Sequence, residues 1–180
     1  MRWGMLIDLR KCVGCHACTI ACQNENNLPL ALRYCKIFKV GPEGEYPNLT
    51  SYNIPIACMH CAEAPCVDGC PSGASHRRLD GIVAINSDKC VGCQFCMLVC
   101  PYGVRHMNKK TGAVEKCTLC FSRLEQGEVT RCVETCQLKA RNVGDLDDPN
   151  SEIVRLVRKD NAQPLYAHLG TKPSIYYIMP

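Results

Sequence analysis

Cysteine is the residue type whose number and spacing can do chemistry in this chain, at 17 of 180 residues. With Cys35 set aside, the cysteines fall into four groups of four. Cys12, Cys15, Cys18 and Cys22 form C-x2-C-x2-C-x3-C; Cys90, Cys93, Cys96 and Cys100 repeat that spacing, with Pro101 behind. Cys58, Cys61, Cys66 and Cys70 form C-x2-C-x4-C-x3-C before Pro71, and Cys117, Cys120, Cys132 and Cys136 form C-x2-C-x11-C-x3-C. The run C-x2-C-x2-C-x3-C-P is an iron–sulfur signature of bacterial ferredoxins. Three thiolates at successive two-residue gaps wrap a cubane more naturally than one tetrahedral ion. Zinc sites use cysteine pairs a dozen or more residues apart, often with histidine, and His16, His60, His76, His106 and His168 show no such spacing. Sixteen thiolates at four per cubane imply four 4Fe-4S clusters, since no Trp, Asp or Ser replaces a cysteine in any group.

The elements that position these thiols repeat as well. Ile7 to Cys15 aligns without gaps on Ile85 to Cys93, an offset of 78, and Cys66-Val67-x-x-Cys70 matches Cys132-Val133-x-x-Cys136. The order A-B-A-B predicts an α+β fold, a duplicated bacterial-ferredoxin-like architecture of two two-cluster lobes with short helices and β-hairpins. Gly14 and Gly92 let backbone N–H groups approach the sulfurs, and those contacts tune cluster potential. Pro71 and Pro101 fix φ where the chain must turn. Cys18/Cys22 and Cys96/Cys100, at i and i+4, share one face of a short helix, which can lie between two clusters and give its last cysteine to the second. Asp80-Gly81 between His76–Arg78 and Ile82–Ile85 is a hairpin signal, and Lys109 to Gly112 reads as a second turn before Val114. Tyr34 to Val40 and Ser51 to Ala57 read as strands around a loop from Gly41 to Asn48. Asp148-Pro149-Asn150 predicts a helix start, with Ile153, Leu156 and Val157 on one face and Pro164 beyond the end. The tail Ser174 to Ile178 reads as an edge strand or an arm on a partner.

Composition excludes several classes. Hydrophobic content of 47% and charged content of 21% suit a folded chain. No stretch approaches the roughly 18 apolar residues of a membrane span. Residues Met1 to Asp8 read as neither a signal peptide nor a twin-arginine signal, which argues against a secreted disulfide scaffold. A net charge of +4 with no basic tract longer than two residues gives no support for nucleic-acid binding. Each oxidised cubane with its thiolates carries about −2, so four of them would turn that balance to roughly −4.

The four-group pattern, with Cys70-Pro71-Ser72-Gly73-Ala74, Cys100-Pro101-Tyr102-Gly103 and the final C-x2-C-x11-C-x3-C, resembles the four-cluster electron-transfer subunits of the dimethyl sulfoxide reductase superfamily. The match runs from about residue 4 to 145. Gly144 to Pro149 and Gly170 to Pro173 look most like the polysulfide, thiosulfate and arsenate branches. The resemblance implies a ligand scheme. Cys12, Cys15 and Cys18 would bind cluster one with Cys136; Cys117, Cys120 and Cys132 would bind cluster two with Cys22. Cys58, Cys61 and Cys66 would bind cluster three with Cys100; Cys90, Cys93 and Cys96 would bind cluster four with Cys70. It also implies a linear relay in that order, from a large molybdopterin (Mo or W) catalytic subunit to an integral-membrane quinone-binding subunit. The implied domain is 1–145, with lobe one from about 1–35 and 104–145, lobe two about 54–103, and 146–180 as a C-terminal helix and partner-binding arm.

The expected function is therefore non-catalytic electron transfer, with no small-molecule substrate pocket. Placement is expected to be peripheral on a membrane, on the extracytoplasmic face through a partner's export signal, or on the cytoplasmic face. The alternatives are a polyferredoxin-type subunit of a soluble hydrogenase or formate enzyme and, from another class, a structural zinc protein. Among other features, Lys11, Lys89 and Lys116 precede the first cysteine of a group, either offsetting cluster charge or standing solvated near strand ends. Cys35 reads as a buried core residue, Tyr102 as core packing, and the histidines as structural or surface residues. Arg105, His106, Lys109 and Lys110 read as a solvated hairpin.

Overall fold

Met5, Leu6, Ile7 and Asp8 are buried in succession, so strand β1 (Trp3–Asp8) has no polar face and must lie inside a sheet. The structure, a computed structural model covering residues 1–180, places it there. Strand β8 (Arg141–Asp145) pairs antiparallel on one side of β1, and β10 (Ile175–Ile178) pairs parallel on the other. The short β9 (Gln163–Pro164) completes the order β8-β1-β10-β9. One face of this sheet sends Met5, Ile7, Ile175 and Tyr177 into a core with Met59 and Leu119 from the cysteine-bearing loops and Ile82 from the hairpin between two of them. The other face packs Leu6 and Ile178 against Ile153 and Val154. The sheet therefore holds cysteine loops that are far apart in sequence.

The cysteine-bearing loops contribute only single helical turns: α2 (Pro65–Asp68), α3 (Phe95–Leu98), α4 (Phe121–Leu124) and α5 (Arg131–Glu134). Helix α1 (Ala17–Glu25) is longer. Helices this short are not stable alone in water, so tertiary contacts must hold them. Residues 78 apart share backbone conformations: Gly14 and Gly92 have φ of 71° and 66°, and His16 and Gln94, preceding α1 and α3, have 62° and 61°.

Three hairpins follow the sequence expectations. Strands β4 (Ser75–Arg77) and β5 (Val83–Ile85) pair around the Asp80-Gly81 turn, and β6 (His106–Met107) pairs with β7 (Val114–Glu115). Strands β2 (Lys36–Glu43) and β3 (Thr50–Ile56) form a longer, mostly exposed ribbon. Its first strand starts after Tyr34 and Cys35, which turn inward and are buried.

Two expectations need correction. Helix α6 (Glu152–Lys159) begins later than Asp148-Pro149-Asn150, because the Ser151 hydroxyl caps it by accepting from the Val154 N–H at 3.4 Å. The tail is neither an edge strand nor a free arm: β10 lies between β1 and β9, with Ile175, Tyr177 and Ile178 buried. No helix is long and apolar enough to cross a membrane.

Candidate iron–sulfur centres

None of the 17 cysteines is disulfide-bonded. Sixteen of them line four cavities in sets of four. Cys12, Cys15, Cys18 and Cys136 line the first cavity, and Cys22, Cys117, Cys120 and Cys132 line the second, which Cys35 and Cys58 also border. Cys58, Cys61, Cys66 and Cys100 line the third, and Cys70, Cys90, Cys93 and Cys96 line the fourth. Each cavity thus draws three thiols from one group and its last from another. Neighbouring cavities share walls. Arg141 lines the first and second, Cys58 the second and third, and Arg105 the third and fourth.

Local structure explains how each set converges. Helix α1 carries Cys18 and Cys22 one turn apart, toward two different cavities. Helix α5 delivers Cys132 to the second cavity, and Cys136, just beyond its end, reaches the first. Backbone N–H groups already point at sulfur. The amides of Ser75, Val114, Leu119 and Ala140 donate to Cys70, Cys90, Cys117 and Cys136 at 3.3–3.4 Å.

The donor sets fit cubanes better than single ions. A zinc ion needs four ligands about 2.0–2.3 Å from one point, yet no three His, Cys, Asp or Glu side chains converge tightly enough to hold one ion. The thiols instead stand around voids. Beside the third and fourth of these, the buried Arg105 Nη1 has no hydrogen-bond partner. An unpaired buried donor is costly, and an anionic inorganic cluster would satisfy it.

Burial pushes three of the thiols well up, Cys22 to about 12 and Cys61 and Cys120 to about 11. Cluster ligation deprotonates such thiols and releases their protons. Against the cost of burial, hydrogen bonds from Ser75 and Ser72 hold Cys70 below the usual thiol range, and Cys18 is also lowered. The Cys35 thiol donates to it and, with the Arg141 guanidinium opposing the cost of burial, lowers it to about 5. Cys35 itself is held protonated by that same hydrogen bond and by burial.

Several functional contacts lay outside the sequence reading. Arg105 is 3% exposed rather than part of a solvated hairpin, because its Nη2 donates to Cys66 Sγ at 2.8 Å and to the Ser75 hydroxyl at 2.9 Å. Arg141, 4% exposed, donates to Cys35 Sγ at 3.2 Å and Cys18 Sγ at 3.6 Å. A signal was available: both arginines stand five residues after the last cysteine of a group. Cys35 is buried as expected, but it shares the Arg141 guanidinium with Cys18. The three lysines divide: Lys11 is exposed beside Asp8 and Lys89 is exposed, whereas Lys116 is buried and donates to the carbonyls of Val83 and Cys117. His60 is fully buried; its Nδ1 accepts from the Val83 N–H, and burial together with Lys116 and Arg105 holds it well below the usual histidine range.

Exposure is uneven along the row of cavities. Cys15 in the first and Cys93 in the fourth are exposed, and every cysteine of the middle two is buried or half-buried. The arrangement offers solvent-side access at two ends and a closed interior between them.

Known proteins agree with this chemistry. A profile of the 4Fe-4S dicluster domain matches residues 49–146, and one of a 4Fe-4S binding domain matches residues 3–24. Protein NrfC of Escherichia coli is 43% identical over 180 residues, covering 99% of this chain and 81% of the relative. A tetrathionate reductase subunit of Salmonella typhimurium is 40% identical, covering 98% of this chain and 72% of the relative. The arsenate respiratory reductase iron-sulfur subunit ArrB of a Shewanella species is 35% identical, covering 99% and 96%. With its 4Fe-4S domains and these relatives, the chain belongs to the iron–sulfur electron-transfer subunits of the dimethyl sulfoxide reductase superfamily, which are not themselves catalytic.

Proposed function

We propose that this chain carries four 4Fe-4S clusters, one in each cysteine-lined cavity, and relays single electrons between a molybdopterin catalytic subunit and a membrane quinone-reactive subunit. The observation that carries the reading is the row of cavities, joined through Arg141, Cys58 and Arg105, with exposed thiols only at its ends. When bound, the clusters supply one-electron chemistry in the broad range of about −700 to +450 mV. The chain's own residues fix the rest. Cysteines set spacing, backbone amides aim at the sulfurs, and Ile7, Leu119, Ile175 and Tyr177 keep water from the second cavity.

The ligand sets are those the cavities group: Cys12, Cys15, Cys18 and Cys136; Cys22, Cys117, Cys120 and Cys132; Cys58, Cys61, Cys66 and Cys100; Cys70, Cys90, Cys93 and Cys96. Matching dihedrals at Gly14/Gly92 and His16/Gln94 support two duplicated lobes, about 1–35 with 104–145 and about 54–103. Residues 146–180 close the sheet, and only their exposed rim is free to meet a partner. The partner reading rests on relatives named as subunits of tetrathionate, selenate and arsenate reductases.

The test is anaerobic purification of the native complex from membranes, followed by quinol addition with the clusters watched by electron paramagnetic resonance. A pterin-containing subunit, a membrane subunit and quinol-linked change in the cluster signals are expected. A brown chain isolated alone, or held by a soluble hydrogenase or formate enzyme, would contradict the complex proposed.

A further inference from the structure

The first and second cavities enclose one buried arginine between them, and the third and fourth enclose another. Arg141 is a wall of the first and second cavities and donates to Cys18 of the first. Arg105 is a wall of the third and fourth and donates to Cys66 of the third. Their positions correspond: each follows a terminal cysteine, Cys136 or Cys100, by five residues, and each guanidinium is more than nine-tenths buried. Neither side chain has a carboxylate partner among the ion pairs of the molecule. A buried cation without a paired anion is strongly disfavoured. Here sulfur takes the carboxylate's place.

The geometry points to Arg141 and Arg105 as paired potential-setting residues, each raising the reduction potentials of the two clusters it separates and leaving the other pair alone. The inference rests on the four-cluster reading. The physical reason is Coulombic: reduction adds one negative charge to a cluster, and a fixed cation at its wall stabilises that charge, more so in a poorly solvated interior. The guanidinium also donates to a ligand thiolate, which strengthens as charge accumulates on sulfur. Arginine suits this place because it stays charged at any working pH and can donate in several directions from one plane. Lys116, the remaining buried cation beside the cysteine loops, differs because it donates to backbone carbonyls.

The test is a redox titration of the holoprotein with resonance detection, which gives one midpoint for each cluster. It compares the parent with Arg105→Gln, Arg141→Gln and the matching lysine variants. Iron and sulfide are measured on every sample, so a shortage in the parent would identify failure of the four-cluster reading separately. Each glutamine variant is expected to lower two of the four potentials. The ratio of reduced to oxidised cluster should fall about tenfold at fixed potential, or about 59 mV for one electron. The two variants must move disjoint pairs, which needs no prior assignment of signals. Lysine at either place should restore its pair to within about twofold of the parent. If a glutamine variant loses iron, its lysine variant must still confine any change to one pair. Unmoved potentials at full iron content, the same pair moved by both variants, an even change in all four, or lysine shifting its pair as far as glutamine would overturn the inference.

Discussion

The hydroxyl of Tyr102 lies 2.7 Å from the hydroxyl of Thr171, joining the residue two places after Cys100 to the C-terminal segment. The same segment accepts from the amides of Ala62 and Glu63 at the carbonyls of Lys172 and Thr171, at 2.9 and 3.0 Å. Thr171 also stands beside Cys61, where its hydroxyl opposes the rise that burial imposes on that thiol. Tyr102 is thus more than packing, since it ties the third cysteine set to the segment that leads into β10. Thr171→Val should keep full iron content and lower the potential of that cluster by about 20–60 mV, the worth of one hydrogen bond of about 0.5–1.5 kcal/mol for one electron. Redox titration of the purified variant checks it.

Gly14 and Gly92 occupy corresponding places but should respond unequally to alanine. Both have positive φ, which strains a non-glycine residue by about 1–2 kcal/mol. A Cβ at Gly14 would meet the Asn53 amide at 2.7 Å, and that side chain can rotate away. At Gly92 it would meet the Gly112 carbonyl oxygen at 2.7 Å, and backbone cannot. Gly92→Ala should therefore lose iron from the fourth set faster than Gly14→Ala loses it from the first, as read by the rate of bleaching of the visible absorbance.

Cys35 is the seventeenth cysteine and the one that no set uses. Cys35→Ala should leave iron per chain unchanged. It removes the S–H donor to Cys18, so only the cluster of Cys12, Cys15, Cys18 and Cys136 should fall in potential, again by about 20–60 mV. Loss of a whole cluster in this variant would make Cys35 a ligand and contradict the sets proposed above.

Asp8 closes β1 and accepts from the Arg10 side chain at 2.9 Å through both oxygens, while Arg10 also reaches Asp160 beyond α6. Hydrogen bonds from Arg10, against the opposing cost of burial, hold the Asp8 carboxyl below its usual value. A carboxylate lowered in the folded state stabilises above its unfolded value of about 3.9, and the contribution is lost as pH falls through the folded value. Asp8→Asn should thus cost about 1–3 kcal/mol. The deficit, read as faster cluster loss in urea, should be equal at about pH 8 and pH 5 and narrow only below about pH 4.

Much of this was legible in the chain. The sixteen cysteines that line the cavities, the Asp80-Gly81 and Lys109–Gly112 turns and the β2–β3 ribbon follow from spacing and local turn chemistry. The four-stranded sheet was hidden for two physical reasons. Strand β1 is buried along nearly all its length, so it lacks alternation, and its parallel partner β10 lies at the far end of the sequence. Arg105 and Arg141 were read past because a charged side chain is almost never buried without a partner. The partners here are the sulfurs of Cys66, Cys18 and Cys35, which only the assembled loops bring to the arginines.

The central claim is that four cavities hold four cubanes. Iron and acid-labile sulfide analysis of the anaerobically isolated holoprotein tests it most directly. About sixteen irons and about sixteen sulfides per chain are predicted, four of each for every thiolate set. About twelve or fewer of each, or metal without sulfide in a colourless protein, would contradict it.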